Sequence, residues 1–180
     1  MPPLSPVMQK FILHWGEMGT RWGVNRTVAQ IHALLYLSEK PLHAEEIAET
    51  LNVARSNVSN SLRELQSWSL VRTVHVLGER RDHFETSDDV WELFTIVMDE
   101  RKKREVDPTV RLLNDLVEEV KTDRAAGPVV AQRLTDLRDF AATTAVWYAQ
   151  VRRLPRGALI RFFKMGGRLT KALGLSTKEE

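Results

Sequence analysis

The run Leu51-Asn52-Val53-Ala54-Arg55-Ser56-Asn57-Val58-Ser59-Asn60-Ser61-Leu62-Arg63-Glu64-Leu65 decides how the rest of this chain is read. At helical period Val58, Leu62 and Leu65 recur at i, i+4 and i+7 and form one apolar stripe. Around the other side stand Arg55, Ser56, Asn57, Ser59, Asn60 and Arg63, with no acid before Glu64. Such a face suits a major groove: Arg matches guanine O6/N7, Asn matches adenine N6/N7, and Ser reaches bases or phosphates. A surface helix whose polar side merely meets water would look the same, so its flanks matter.

His43 to Leu51 reads as a short helix with Ile47, Ala48 and Leu51 facing inward. Asn52 follows, a residue that tolerates the left-handed backbone of a tight inter-helix turn. Beyond the central helix, Leu70 to Leu77 carries the β-branched Val71, Thr73, Val74 and Val76. Gly78-Glu79-Arg80-Arg81 then makes a turn, and Asp82 to Thr86 returns as a second strand. Helix, turn, helix and a hairpin tipped by two arginines make a winged helix-turn-helix. Arg80 and Arg81 suit a phosphate or a narrow minor groove. His83 joins them as a candidate, although a one-residue slip in strand register would turn it to the other face.

With these residues in place, the chain resembles the GbsR branch of the MarR-type bacterial transcription regulators. The resemblance is carried by Val24-Asn25-Arg26, Leu37-Ser38-Glu39-Lys40-Pro41-Leu42, Glu46-Ile47-Ala48, Val58-Ser59, Leu70-Val71 and, most diagnostically, the wing Gly78-Glu79-Arg80-Arg81-Asp82-His83-Phe84-Glu85. It covers roughly residues 20 to 95; the remainder is alike only in helical character. Two positions depart from the family pattern. Ala54 stands where Ser or Thr usually caps the recognition helix, and Ser69 where Gly usually ends it. The resemblance implies a cytoplasmic regulator that binds double-stranded DNA as a homodimer. It also implies sensing of quaternary-ammonium osmolytes, which aromatic cages hold by cation–π attraction.

Composition agrees with such a protein. At 180 residues the chain can bury one good core, or one small domain plus an oligomerisation arm. The formal charge of +2 is not that of an indiscriminate polyanion binder. Arg152, Arg153, Arg156, Arg161, Lys164, Arg168, Lys171 and Lys178 face only Glu179 and Glu180, so the tail is basic and the remainder net acidic. Without cysteine, disulfides and thiolate chemistry are excluded. The longest uncharged run, Phe140 to Val151, is far shorter than the roughly 20 residues a bilayer requires, and the N-terminus lacks a signal-peptide layout. A membrane partner is therefore not expected.

Taken in order, Val7 to Thr20 and Arg26 to Leu37 read as helices, the second capped by Asn25. Residues 1 to 6 read as an irregular lead-in. After the wing, Thr86-Ser87-Asp88-Asp89 supplies capping oxygens for a helix that reaches Arg101-Lys102-Lys103-Arg104, a basic run best read as an ordinary charged face. Asp107-Pro108 is expected to restart the helix, with Asp as its cap. Val106, Val110, Leu113, Val117 and Val120 then form one heptad-like seam; Val130, Leu134, Leu137, Ala141, Thr144, Tyr148 and Val151 form another. Near the end, Arg161, Lys164, Arg168 and Lys171 fall within about an 80° arc, opposite Leu159, Phe162, Phe163, Met165, Leu169 and Leu173. This basic amphipathic helix is expected to pack its apolar side on a dimer core.

The expected architecture is mostly α: a winged helix-turn-helix over 24–87 with a small β-hairpin wing, and a long helical dimerisation arm over 88–180 with 1–23. That arm is also where a small-molecule effector is expected. His14, His32, His43, His75 and His83 lack metal-ligand spacing, and phosphate-loop and nucleophile-elbow motifs are absent, so neither cofactor nor enzyme is expected. The expected function is sequence-specific transcription regulation, with repression as the mode, on a pseudo-palindromic operator. Arg55, Asn57 and Asn60 would read base edges, and Ser56, Ser59 and Arg63 would take phosphates or both. The rival is a winged helix that binds protein instead of DNA, which the acidic Glu45, Glu46 and Glu49 beside the recognition helix favour.

Overall fold

The computed structural model describes residues 4–172, with side chains through Met165. The elements are α1 (Pro6–Arg21), α2 (Arg26–Leu37), β1 (Leu42–His43), α3 (Ala44–Leu51), α4 (Arg55–Ser67), β2 (Arg72–Val74), β3 (His83–Glu85), α5 (Val90–Arg101), α6 (Asp107–Glu119), α7 (Gly127–Arg152) and α8 (Arg156–Ala172). They divide into two compact units, Met1–Glu100 and Arg101–Glu180. The expected division placed residues 1–23 and 88–100 with the helical arm. Here Ile12 of α1 and Leu93 of α5 are buried in the winged-helix core, which draws both helices into the first unit.

The central helix of the first unit is α2. Asn25 Oδ1 accepts from Thr27 N at 2.8 Å and starts it; Val28, Ile31, Leu34 and Leu35 are buried along it. Val58, Leu62 and Leu65 of α4 join this core with Ile47 of α3, Leu42, Leu70 and Val71. Each such side chain contributes about 1.5–3 kcal/mol when removed from water. Helix α1 lies against α2 at glycine positions, and a Cβ on Gly19 would sit 2.5 Å from the Ala29 Cβ. The approach of the two helices therefore depends on Gly19 having no side chain.

The sheet has three antiparallel strands in the order β1-β3-β2. Leu42 pairs with Phe84 and His43 with His83 on one side, while Thr73 pairs with Phe84 and Val74 with His83 on the other. The sequence predicts two longer strands and a helix beginning at His43, whereas the strands are short and three in number. His43 instead ends β1 and caps α3: its Nδ1 accepts from Glu46 N at 3.2 Å, and Glu46 Oε2 accepts from His43 N at 3.0 Å. A capping box satisfies two of the free amides at a helix start.

In the second unit, α6 packs on α7. Leu113 and Val117 are buried, so the first heptad-like seam closes within one chain. The expected break at Asp107-Pro108 is absent. A π-helical turn, Lys102–Val106, leads into α6, and Asp107 has helical φ −61° with its carboxylate on Lys102 Nζ at 2.6 Å. Proline lacks the N–H that the regular ladder needs, and a wider turn just before it accommodates the missing bond. Arg101 Nη1 pairs with Glu105 at 3.2 Å, so this basic run is partly neutralised locally. Helix α7 buries none of its residues, although Val130, Leu137, Phe140 and Trp147 are apolar and exposed. In α8, Phe162 lies 6.3 Å from Trp147, and Arg161 and Lys164 are exposed. The rest of the expected basic arc (Arg168, Lys171, Leu169, Leu173) and Lys178 lie outside the described side chains.

Candidate nucleic-acid interface

The turn between α3 and α4 is set by Asn52, at φ 51° in the left-handed region, whose N–H reaches the Ala48 and Glu49 carbonyls. Asn enters that region more readily than other non-glycine residues. Ala54 then caps α4 with extended backbone and no side-chain hydrogen bond, as its methyl requires. From there Arg55, Ser56, Asn57, Ser59, Asn60 and Arg63 are all exposed, while Val58, Ser61, Leu62 and Leu65 are buried. The thirteen residues of α4 span about 20 Å at 1.5 Å per residue, long enough to lie in a groove.

The exposed face is already organised by its own contacts. Arg63 Nη2 donates to Asn60 Oδ1 one turn earlier. Arg55 Nη1 lies 2.7 Å from Glu45 Oε1 across the turn. The Glu45 carboxyl is held below the usual range, first by its own backbone N–H, with Arg55 and His43 adding to it. Helix α4 ends at Ser67 with Trp68 as its cap, and Ser69 then takes φ 59°, a left-handed position where the resemblance expects glycine.

Gly78, at φ 86°, turns the wing, with Glu79 N donating to Val76 O at 3.0 Å. Arg80 and Arg81 are exposed on that tip. Arg81 Nη2 donates to Glu79 Oε2 at 3.0 Å, which lowers the Glu79 carboxyl and raises the guanidinium. At the wing base Arg72 pairs with Glu85 at 2.7 Å, and Gln66 Nε2 of α4 donates to Thr73 Oγ1 at 2.9 Å. Helix α4 and the wing are thus tied directly to each other.

His83 departs from the expected set. It is 7% exposed, its Nδ1 lies 3.0 Å from the Arg81 carbonyl, and its ring meets His43 edge to face at 5.4 Å. Register accounts for this: pairing His83 with His43 and Val74 points it at the sheet's covered side. Its ring faces the fold and is not part of the exposed contact surface.

Sequence reasoning missed a second feature. Phe11, Trp15, Trp22, Tyr36 and Phe94, from α1, α2 and α5 and the loop after α1, surround a cavity of about 410 Å³ with His32 in its lining. Desolvation lowers the His32 pKa from 6.5 to about 4, so the ring is neutral. Its Nε2 lies 3.3 Å from Thr86 Oγ1, which donates to Leu70 O at 2.6 Å. Thr86 follows the last wing strand, so the cavity wall is bonded to the wing root. Among the described residues no His, Asp and Glu side chains converge as metal ligands, and no helix is long and apolar enough to cross a membrane.

The helical core, helix-turn-helix and three-stranded wing define a winged helix-turn-helix fold. Residues 22–82 match the family model MarR_2, described as MarR family. Two curated Bacillus subtilis (strain 168) proteins are similar. YvaV, named as an HTH-type transcriptional regulator, is 25% identical over 95 residues, 51% of this chain and 54% of that protein. The HTH-type transcriptional repressor OpcR is 23% identical over 73 residues, 41% of this chain and 40% of that protein. The chain thus matches about half the length of these relatives or less. A solved structure titled as a transcriptional regulator shares the fold, with a TM-score of 0.66, 20% identity, and coverage of 88% of this chain and 99% of that one. Both relatives are thus named for transcriptional regulation.

Proposed function

We propose that this chain is a sequence-specific DNA-binding transcription regulator of the GbsR branch, acting in the cytoplasm as a repressor on a pseudo-palindromic operator. One observation carries the reading: six hydrogen-bonding or cationic side chains, Arg55 to Arg63, are exposed on a helix whose opposite face is locked in the core. Arg55, Asn57 and Asn60 read base edges; Ser56, Ser59 and Arg63 serve phosphates or both; Arg80 and Arg81 lie along the backbone. The wing sequence from Gly78 to Glu85 supports the branch.

A homodimer is supported by α7. Val130, Leu137 and Phe140 fall within about an 80° arc at helical period and are exposed, while Trp147 beside them meets Phe162 of α8. A second copy supplies a stripe of identical character, and two-fold symmetry then sets half-sites about one helical turn, or a multiple, apart. The aromatic cavity is the proposed effector seat. No carboxylate lines it, so a quaternary ammonium would be held by ring faces alone.

The test is selection of bound duplexes from fragmented genomic DNA at two salt concentrations, followed by footprinting. Salt-dependent recovery of a two-fold motif is expected. Recovery of no fragment at low salt would refute DNA binding. Titration with choline, read by tryptophan fluorescence, tests the seat; no change at millimolar concentration would reject that ligand class.

A further inference from the structure

We propose that Glu45 is a positioning residue for base recognition: its carboxylate holds the Arg55 guanidinium in one orientation and so sets how sharply the chain discriminates between duplex sequences. This rests on Arg55 being a base-reading residue, as proposed above.

Arg55 is the first residue of α4 and its side chain is 68% exposed. Left alone, so long a side chain would sample many rotamers, and ordering it on a base would cost entropy. Glu45 limits that freedom. It sits in the first turn of α3, only 32% exposed, with Oε1 2.7 Å from Arg55 Nη1 and Oε2 3.1 Å from His43 Nδ1. His43 is itself fixed, as the cap of α3 and by its ring contact with His83. Since the His43 Nδ1 accepts from Glu46 N, it gives Glu45 no hydrogen bond. The carboxylate is held by its own backbone N–H in the first turn of α3 and faces a mobile guanidinium. The contact takes Nη1, and the remaining N–H groups of the guanidinium stay available for the paired O6/N7 acceptors of a guanine.

The same carboxylate stands on the face that would approach phosphates, and there it repels any duplex regardless of sequence. Glu45 thus lowers affinity for DNA in general while raising the contrast between sites. An acid without a positioning role would produce only the repulsion, which gives a signature that separates the two.

The experiment measures Kd by fluorescence anisotropy for the full chain on its selected duplex and on a scrambled duplex of equal length. Wild type, Glu45→Gln, Glu45→Asp, Arg55→Ala and the double variant Glu45→Gln/Arg55→Ala are compared. Glu45→Gln is expected to tighten scrambled-DNA binding a few-fold and to cut the selected-to-scrambled ratio by about tenfold. Glu45→Asp keeps the charge but shortens the reach, so it is expected to lose the ratio without tightening scrambled binding. In the Arg55→Ala background the Gln substitution should leave the ratio alone. A full ratio in both Glu45 variants, with a reduced one in Arg55→Ala, overturns the positioning role and leaves base reading intact. A full ratio in Arg55→Ala overturns base reading by Arg55, and this proposal with it.

Discussion

His32 makes the protein lose stability in mild acid, and the size of the loss follows from its burial. The ring is 8% exposed, and desolvation takes its pKa from 6.5 to about 4. The unfolded chain, with an ordinary imidazole, therefore binds a proton between these values that the folded chain does not. The neutral ring's contribution is fully present above about pH 6.5 and is lost as pH falls towards about 4. At about 1.36 kcal/mol per pKa unit the whole effect is about 3 kcal/mol, of which about 2 has gone by pH 5. Against a typical total of about 5–15 kcal/mol this is readily measured. Urea unfolding at a series of pH values, followed by tryptophan fluorescence, gives the slope. Other groups titrate too, so the quantity of interest is the difference between wild type and His32→Gln, which keeps a polar contact for Thr86 but cannot titrate. The wild type should lose about 2 kcal/mol more than the variant between pH 7 and pH 5. Equal slopes, or an NMR titration of His32 at an ordinary imidazole pKa, would refute the reasoning.

Other consequences follow from single positions. Gly19→Ala places a methyl 2.5 Å from the Ala29 Cβ and should cost about 1–3 kcal/mol in chemical unfolding by forcing α1 away from α2. Ala54→Ser supplies the side-chain oxygen that α4 lacks and should add about 1 kcal/mol, seen as a raised urea midpoint with an unchanged slope. Phe140→Asp puts a charge in the uncovered stripe of α7 and should shift sedimentation from dimer towards monomer, with the circular dichroism spectrum retained.

What could be read in advance was whatever local chemistry determines. Arg26 to Leu37, with Asn25 as cap, appears at the expected boundaries because apolar period and cap chemistry agree there. Asn52 in the left-handed turn and Ala54 as an empty cap were likewise visible, being properties of single residues. The polar face of α4 was legible because its apolar stripe fixed which side turns inward. Strand β1, of two residues, is too short to show any period. The inward turn of His83 depends on register, which a three-residue strand does not fix by itself. Asp107-Pro108 carries the residues of a helix start, yet the same proline is accommodated by a π turn. Glu45 with Arg55, and Thr86 with His32, are tertiary meetings with no local signature. The convergence of Phe11, Trp15, Trp22, Tyr36 and Phe94 needed three packed helices to appear.

The most direct test of the central claim reverses charge on the exposed face of α4 while leaving the wing and core alone. Binding of Arg55→Glu/Arg63→Glu to the selected duplex, measured with wild type across a salt series, should fall by at least about a hundredfold with a flatter salt slope and an unaltered unfolding midpoint. Undiminished affinity for that duplex in the folded variant would show that this face of α4 does not meet DNA.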